Sequence, residues 1–282
     1  MAPTPAVRQP LKLLMLHGYT QSGSLFHAKS RALIKHLQKA FPSYDVTASY
    51  PTGPIRLKPS DIPGYEPSDT ADSDDSIEAY GWWRRSNTAT PPLYTGIEEG
   101  LASVAKVLKE EGPFDGVIGF SQGAALAGMV AALLEPGRKE AFAHFVTQKG
   151  QDIGLPFPAE LGASDFSHPQ LKFAICYSGF RAPGERYRGF YENPGIQTPL
   201  LHVLGTLDAV VDDSRSRALI DACVGNPEQD GSVVWHPGGH FLPSQRPYLD
   251  AAVQFIRKQL DKTNGEAKEQ EEEDVNDMDV PF

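Results

Sequence analysis

The segment GFSQG at residues 119–123 constrains the fold of this chain more than any other feature. It follows Phe114–Ile118, a short apolar run that predicts a buried strand, and precedes Ala124–Leu134, an apolar run that predicts a buried helix. The pattern G-x-S-x-G between a strand and a helix is typical of a nucleophile elbow, a tight turn that needs small residues beside the serine. The turn aims the helix N-terminus at the hydroxyl, where negative charge is favoured. We therefore predict that Ser121 is a nucleophile.

The rest of the chain alternates between strand-like and helix-like segments. The strand-like runs lie at 11–16, 44–50, 171–177, 200–205 and 232–235, and the helix-like runs lie at 25–40, 94–111, 214–224 and 245–260. This alternation predicts an α/β fold in which a mostly parallel central sheet carries helices on both faces.

One α/β domain is expected over residues 11–261, with irregular inserts at about 51–81 and 136–168. The first insert is rich in proline, glycine and aspartate and is long enough to fold over a site as a lid. Residues 1–10 are expected to form a flexible arm. Residues 262–282 are expected to be a disordered acidic tail, because they contain too little apolar surface to bury.

Charge and cysteine content narrow the functional classes. The net charge is −10, and residues 262–282 contain eight acidic side chains and two lysines. The rest of the chain is therefore only mildly acidic, and we expect no nucleic-acid partner. The two cysteines, Cys176 and Cys223, do not make a disulfide framework. No apolar run reaches the roughly 18 residues of a membrane span, and the N-terminus lacks a secretory signal. We expect a cytoplasmic protein, with the nucleus as the alternative.

A nucleophilic serine needs a base within hydrogen-bond reach and a third group that orients the base. Asp208 follows the strand-like run 200–205, and His240 follows the run 232–235. Both lie just past the carboxyl ends of predicted strands, where open α/β sheets place their sites. The order Ser121, Asp208, His240 is the order of the α/β-hydrolase triad.

Other residues compete for two of these roles. Asp212 and Asp213 lie near Asp208, but they open the following helix and are better suited to capping it. His236 is the rival for the base, but it lies at the end of its strand and not in the glycine loop that follows. No histidine or cysteine cluster has metal-ligand spacing, so we expect no metal and no cofactor.

A tetrahedral intermediate also needs an oxyanion hole. One donor is expected to be the backbone N–H of Gln122, the residue after the nucleophile. The other is expected from the loop after the first strand, where Gly18 lets the backbone turn. Tyr19 N–H is the favoured donor there and Thr20 N–H the next, while His17 is expected to organise the loop.

Several separated motifs now coincide: LHGYTQS at 16–22, WWR at 82–84, GFSQGA at 119–124, GTLD at 205–208 and GH at 239–240. Together they resemble the fungal-type serine hydrolase (FSH) family of α/β-hydrolases, over about residues 11–260. The resemblance implies an α/β-hydrolase fold and esterase or thioesterase activity without a cofactor. Matched by position, the family's triad falls on Ser121, Asp208 and His240.

The expected function is hydrolysis of carboxylic esters or thioesters through an acyl-enzyme, with a small acyl ester or thioester as substrate. Trp82, Trp83 and Phe180 are expected to form an apolar substrate wall, and packing of the tryptophans in the core is the alternative. A second hypothesis is a pathway-dedicated thioesterase that releases a polyketide acyl chain from a carrier protein. A third is an inactive hydrolase-fold binding module, which is disfavoured because no triad member is missing.

Overall fold

The computed structural model describes residues 7–62, 64, 78–86, 88–148 and 151–276. Its strands are β1 (Gln9–Leu16), β2 (Tyr44–Ser49), β3 (Ile55–Arg56), β4 (Tyr80–Gly81), β5 (Arg84–Arg85), β6 (Tyr94–Thr95), β7 (Gly116–Phe120), β8 (Thr147–Gln148), β9 (Gln151–Asp152), β10 (Phe173–Tyr177), β11 (Leu200–Gly205) and β12 (Val233–His236). Its α-helices are α1 (Gly23–Ala40), α2 (Ile97–Glu111), α3 (Gln122–Leu133), α4 (Arg138–Val146), α5 (Asp213–Ile220) and α6 (Arg246–Asn276).

Six of the strands form one parallel sheet in the order β12-β11-β10-β7-β1-β2. The chain runs from β1 outwards to β2 and then returns to β7 on the other side of β1. The order of the strands therefore reverses between β1 and β7, and open α/β sheets bind their ligands at the carboxyl ends of the strands beside such a switch point. The loop that carries Ser121 and the loop that carries Tyr19 follow these two strands.

Helices cover both faces of the sheet, as the alternation of segments predicts. Strand β1 shows why, because its side chains alternate between the two faces. Leu11, Leu13 and Met15 pack in one apolar cluster with α1 and α6, and Leu14 and Leu16 pack in another with α2 and α3. All five side chains are fully buried. A central strand of a covered sheet is apolar on both faces, and β1 has this pattern.

The elbow lies between these two clusters, since Ile118 and Phe120 belong to the first and Val117 and α3 belong to the second. Every residue of β7 and of α3 is buried. The strand starts at Gly116, two residues later than predicted, since the carboxylate of Asp115 instead accepts a 2.7 Å hydrogen bond from the N–H of Lys12. It ends at Phe120, so the serine directly follows the last strand residue.

Several boundaries differ from those predicted. Helix α2 begins at Ile97 and not at Tyr94, because Tyr94 and Thr95 pair with β5 and Gly96 has a φ of 82°. Helix α6 continues to Asn276, although the sequence predicted an end near Leu260 and disorder beyond 261. The added segment contains five glutamates and two lysines, residue types with high helix propensity.

Parts of the predicted arm, lid and tail, residues 1–6, 63, 65–77 and 277–282, lie outside the described residues. The ends of the first insert pair as an antiparallel ladder of β3 and β4. The second insert contains α4 and the β8–β9 ladder. Within the described ranges, no helix has both the length and the apolar composition needed to cross a membrane.

Candidate active site

Ser121 has a backbone conformation that few non-glycine residues adopt, with φ 54° and ψ −115°. Two glycines make this turn sterically possible. A Cβ atom at Gly119 would overlap the carbonyl oxygen of Gly123, and a Cβ atom at Gly123 would overlap the carbonyl oxygen of Leu16. Strained backbone of this kind persists where the surrounding structure enforces it, and it clusters at functional sites.

The structure brings the three predicted catalytic side chains into one hydrogen-bonded series. The Nε2 atom of His240 lies 2.9 Å from the Oγ atom of Ser121. The Nδ1 atom of the same ring lies 2.8 Å from the Oδ2 atom of Asp208. His240 is 119 residues from Ser121 and 32 residues from Asp208 in the sequence. The three residues meet because each lies just after the end of a strand, β7, β11 or β12. With a proton on Nδ1, the imidazole presents Nε2 as an acceptor for the serine hydroxyl.

Both carboxylate oxygens of Asp208 have hydrogen-bond partners. Its Oδ1 atom accepts hydrogen bonds of 2.9 Å from the N–H groups of Val210 and Val211, and its Oδ2 atom faces His240. Burial by itself raises the pKa of Asp208, but the hydrogen bonds from Val211, His240 and Val210 outweigh it and hold this pKa below the usual value of a carboxyl group. The carboxylate is therefore ionised at neutral pH and oriented towards the imidazole.

The rival residues have other partners. Asp212 caps α5 by accepting a hydrogen bond from the N–H of Ser214, and Asp213 pairs with Arg217. His236 lies under the loop that carries His240, with its Nδ1 atom 3.2 Å from the N–H of Gly238. Its side chain is buried, and its Nε2 atom has no hydrogen-bond partner among the described residues.

Backbone hydrogen bonds hold the loops that carry Asp208 and His240 together. Thr206 N–H donates to the carbonyl oxygen of His236 at 2.9 Å, and Leu207 N–H donates to that of Gly238 at 3.0 Å. Consequently the spacing of the acid and the base is set by main-chain bonds and not only by their side chains.

Hydrogen bonds distinguish Tyr19 N–H from Thr20 N–H, the two candidate oxyanion-hole donors in the loop after β1. Thr20 N–H donates to the carbonyl oxygen of Tyr80 at 2.9 Å, and Gly18 N–H donates to Gln21. Tyr19 N–H has no such acceptor within the described part of the chain. Gln122 is the first residue of α3, so its N–H has no partner within the helix. Among the described residues of these two segments, the N–H groups of Tyr19 and Gln122 are therefore left without a backbone acceptor.

The side chains around the donors fix their positions. The Nε2 atom of His17 accepts a 2.8 Å hydrogen bond from Gly53 N–H, and its Nδ1 atom lies 2.8 Å from the carbonyl oxygen of Gly18. Burial lowers the pKa of His17 to about 4, against a weaker opposing effect of the Gly18 carbonyl. His17 is thus a neutral organiser of the loop. Its own carbonyl oxygen accepts a hydrogen bond from the Nε1 atom of Trp82 at 2.9 Å.

The three aromatic residues predicted to line the substrate wall lie elsewhere. Trp82 and Trp83 are 0% and 1% exposed and belong to the core cluster between the sheet, α2 and α3. Trp83 stacks on Tyr94 with ring centroids 4.8 Å apart. Phe180 is buried too, and the guanidinium of Arg215 covers its ring at 4.0 Å. None of the three rings lines the cleft at Ser121, and packing of the tryptophans in the core, the alternative to a substrate wall, is what their burial favours.

A different set of residues forms the cleft at Ser121, which has a volume of about 540 Å³. Its apolar lining comes from Phe26, Ile62, Phe120, Val210, Phe241 and Leu242. The sequence-based predictions did not include these residues, although four of them lie within two residues of a predicted triad member: Phe120, Val210, Phe241 and Leu242. Position next to a catalytic residue at a strand end is the signal that could have identified them.

Comparison with known proteins identifies the family to which the chain is related. Residues 7–252 match the family model described as serine hydrolase (FSH1). The chain is 33% identical over 256 residues to the esterase OVCA2 of Danio rerio, covering 88% of this chain and 97% of the relative. It is 32% identical over 252 residues to a dihydrofolate reductase of Schizosaccharomyces pombe, covering 88% of this chain but 47% of that protein, so it spans about half the length of this relative.

Among solved structures, the acyl-protein thioesterase 2 of Zea mays has the same fold. The TM-score is 0.54 and the identity 21%, covering 92% of this chain and 97% of the other.

Proposed function

This chain belongs to the FSH1 family of serine hydrolases, and we propose that it hydrolyses carboxylic esters or thioesters with Ser121, His240 and Asp208 as its catalytic triad. The observation that carries the proposal is the series of contacts from Asp208 through His240 to Ser121, at 2.8 and 2.9 Å. The strained φ of Ser121 and the free N–H groups beside it add support.

In the proposed reaction, the Nε2 atom of His240 takes the proton of Ser121 as the Oγ atom attacks the substrate carbonyl. The backbone N–H groups of Tyr19 and Gln122 hold the negative oxygen of the tetrahedral intermediate. The loss of one such donor typically raises the barrier by about 3 kcal/mol. The intermediate collapses to an acyl-enzyme when the imidazolium returns its proton to the leaving alcohol or thiol.

Hydrolysis of the acyl-enzyme repeats these steps with water. His240 removes a proton from the water as its oxygen attacks the acyl carbon, and then protonates Ser121 as the carboxylic acid leaves. Asp208 keeps its negative charge throughout and stabilises the imidazolium. The apolar lining of the cleft suits the acyl portion of the substrate.

A fluorophosphonate probe tests the proposal together with a series of p-nitrophenyl esters of increasing acyl length. We expect the probe to label Ser121 and the esters to be hydrolysed, and we expect the Ser121→Ala variant to lose both reactions while unfolding at the same temperature as the wild type. Ester hydrolysis by Ser121→Ala at the wild-type rate would exclude Ser121 as the nucleophile.

A further inference from the structure

The cleft at Ser121 has an asymmetric distribution of charge. Among the described residues that line it, Lys29 is the only lysine or arginine, and none is an aspartate or glutamate. The remaining lining is apolar or uncharged, apart from the imidazole of His240. Lys29 is therefore the one ammonium or guanidinium group among these lining residues, and the ionised carboxylate of Asp208 is already engaged by His240.

Lys29 has no carboxylate partner in the described part of the chain. Several other cations do, including Arg84 with Asp61 at 2.9 Å and Arg138 with Glu135 at 2.6 Å. The side chain of Lys29 is exposed on α1, so its ammonium group is accessible to a ligand in the cleft. The ammonium is thus available to pair with a negative group from outside the protein.

The position of Lys29 also relates it to the apolar wall. Phe26 and Lys29 both line the cleft and are three positions apart on α1, so they lie on the same side of the helix, about 4.5 Å apart along its axis. Phe26 is itself fully buried, so a substrate segment in the cleft contacts the exposed lining residues Val210 and Phe241 and can extend a charged group towards Lys29. Val210 and Phe241 continue the apolar lining on the opposite loops.

We propose that Lys29 pairs with an anionic group of the substrate, so that the cleft takes acyl compounds in which an apolar segment is joined to a carboxylate or a phosphate. This inference rests on the proposed hydrolase function and names a substrate class for the same site. The anion has two sources, a carboxylate at the far end of the acyl chain or a phosphate on the leaving thiol.

Two pairs of matched substrates separate these sources. The first pair is p-nitrophenyl hexanoate and the p-nitrophenyl monoester of adipic acid, which share an acyl length and differ in the terminal carboxylate. The second pair is S-hexanoyl pantetheine and S-hexanoyl 4′-phosphopantetheine, which differ in the phosphate. The measured quantity is the ratio of kcat/KM for the anionic member to kcat/KM for the neutral member.

For the wild type we expect a ratio of roughly five in one of the two pairs, in line with a partly exposed ion pair, and a smaller ratio at high salt. Lys29→Met should reduce this ratio to about one, and Lys29→Arg should keep it. Lys35→Met is the matched control, since it removes an exposed lysine of the same helix that does not line the cleft. It should leave the ratio and the rates as in the wild type.

The possible failures are distinguishable. Hydrolysis of the neutral esters with ratios of one or less in both pairs would overturn the role of Lys29 and leave the hydrolase function intact. A ratio above one that survives Lys29→Met would assign the preference to another group and also overturn the inference. Absence of turnover of all four compounds, with no labelling of Ser121 by a fluorophosphonate, would overturn the proposed function and this inference with it.

Discussion

The side-chain amide of Gln122 accepts a 2.8 Å hydrogen bond from the backbone N–H of Trp82. The same amide donates from Nε2 to the carbonyl oxygen of Trp83 at 2.9 Å. The residue after the nucleophile therefore satisfies two buried main-chain groups of a segment 39 and 40 residues away. This arrangement couples the elbow to the loop that Trp82 contacts through its indole.

Gln122→Leu should destabilise the fold, because it leaves both main-chain groups buried without partners. Each orphaned group costs about 1–3 kcal/mol, so we expect the free energy of unfolding to fall by about 2–6 kcal/mol in urea titrations. Gln38→Leu is the control, since Gln38 is exposed and donates only to Val46, and it should change stability by about 0.5 kcal/mol or less. Equal effects of the two substitutions would contradict the role of the Gln122 amide.

Asp208→Asn should reduce kcat by about 10⁴-fold with little change in melting temperature. The asparagine oxygen can still accept hydrogen bonds from Val210 and Val211, but its NH₂ group faces the Nδ1 atom of His240 and selects the tautomer that cannot accept the serine proton. Steady-state hydrolysis of a p-nitrophenyl ester measures the effect. Asp212→Asn should keep full activity because asparagine also caps helices, and an active Asp208→Asn variant would refute the assigned role.

Gly123→Ala should destabilise the protein by at least about 3 kcal/mol, or prevent folding, since the new methyl group would overlap the carbonyl oxygen of Leu16. Gly128→Ala tests the same change in the same helix. The nearest atom to a Cβ at Gly128 is a Leu219 methyl carbon at 3.4 Å, so this variant should be as stable as the wild type or up to about 1 kcal/mol more stable. Thermal unfolding of the two variants compares them directly, and similar losses in both would argue against the close backbone approach at the elbow.

Buried histidines should make the fold sensitive to acid. Burial lowers the pKa of His202 to about 4, from an ordinary value of 6.5. Between these values the unfolded chain binds a proton that the native state does not, so stability falls as the pH drops from about 6.5 to 4. His202→Leu should reduce the slope of stability against pH by up to about 1.4 kcal/mol per pH unit in this window. Urea midpoints at several pH values measure this, and equal slopes would contradict a neutral buried imidazole.

Much of the sheet and of the site follows from local sequence patterns. The strand at Leu200–Gly205 has the predicted bounds, and the parallel sheet with helices on both faces is confirmed. The predicted neighbours of Ser121 come from the ends of strands, and the carboxyl ends of parallel strands meet at one edge. The end of α6 was not predictable in this way, because a charged segment with high helix propensity resembles a disordered one.

The sequence by itself determined the fold class, the elbow and the order of the three residues brought together at Ser121, because these depend on apolar periodicity, glycine positions and strand ends within short windows. Only the tertiary structure decided which aromatic rings face the cleft. Trp82 is fully buried and its indole donates to His17, 65 residues earlier, whereas the partly exposed ring of Phe241 lines the cleft. Burial of a side chain is set by the distant segments that pack on it, and no local pattern specifies them.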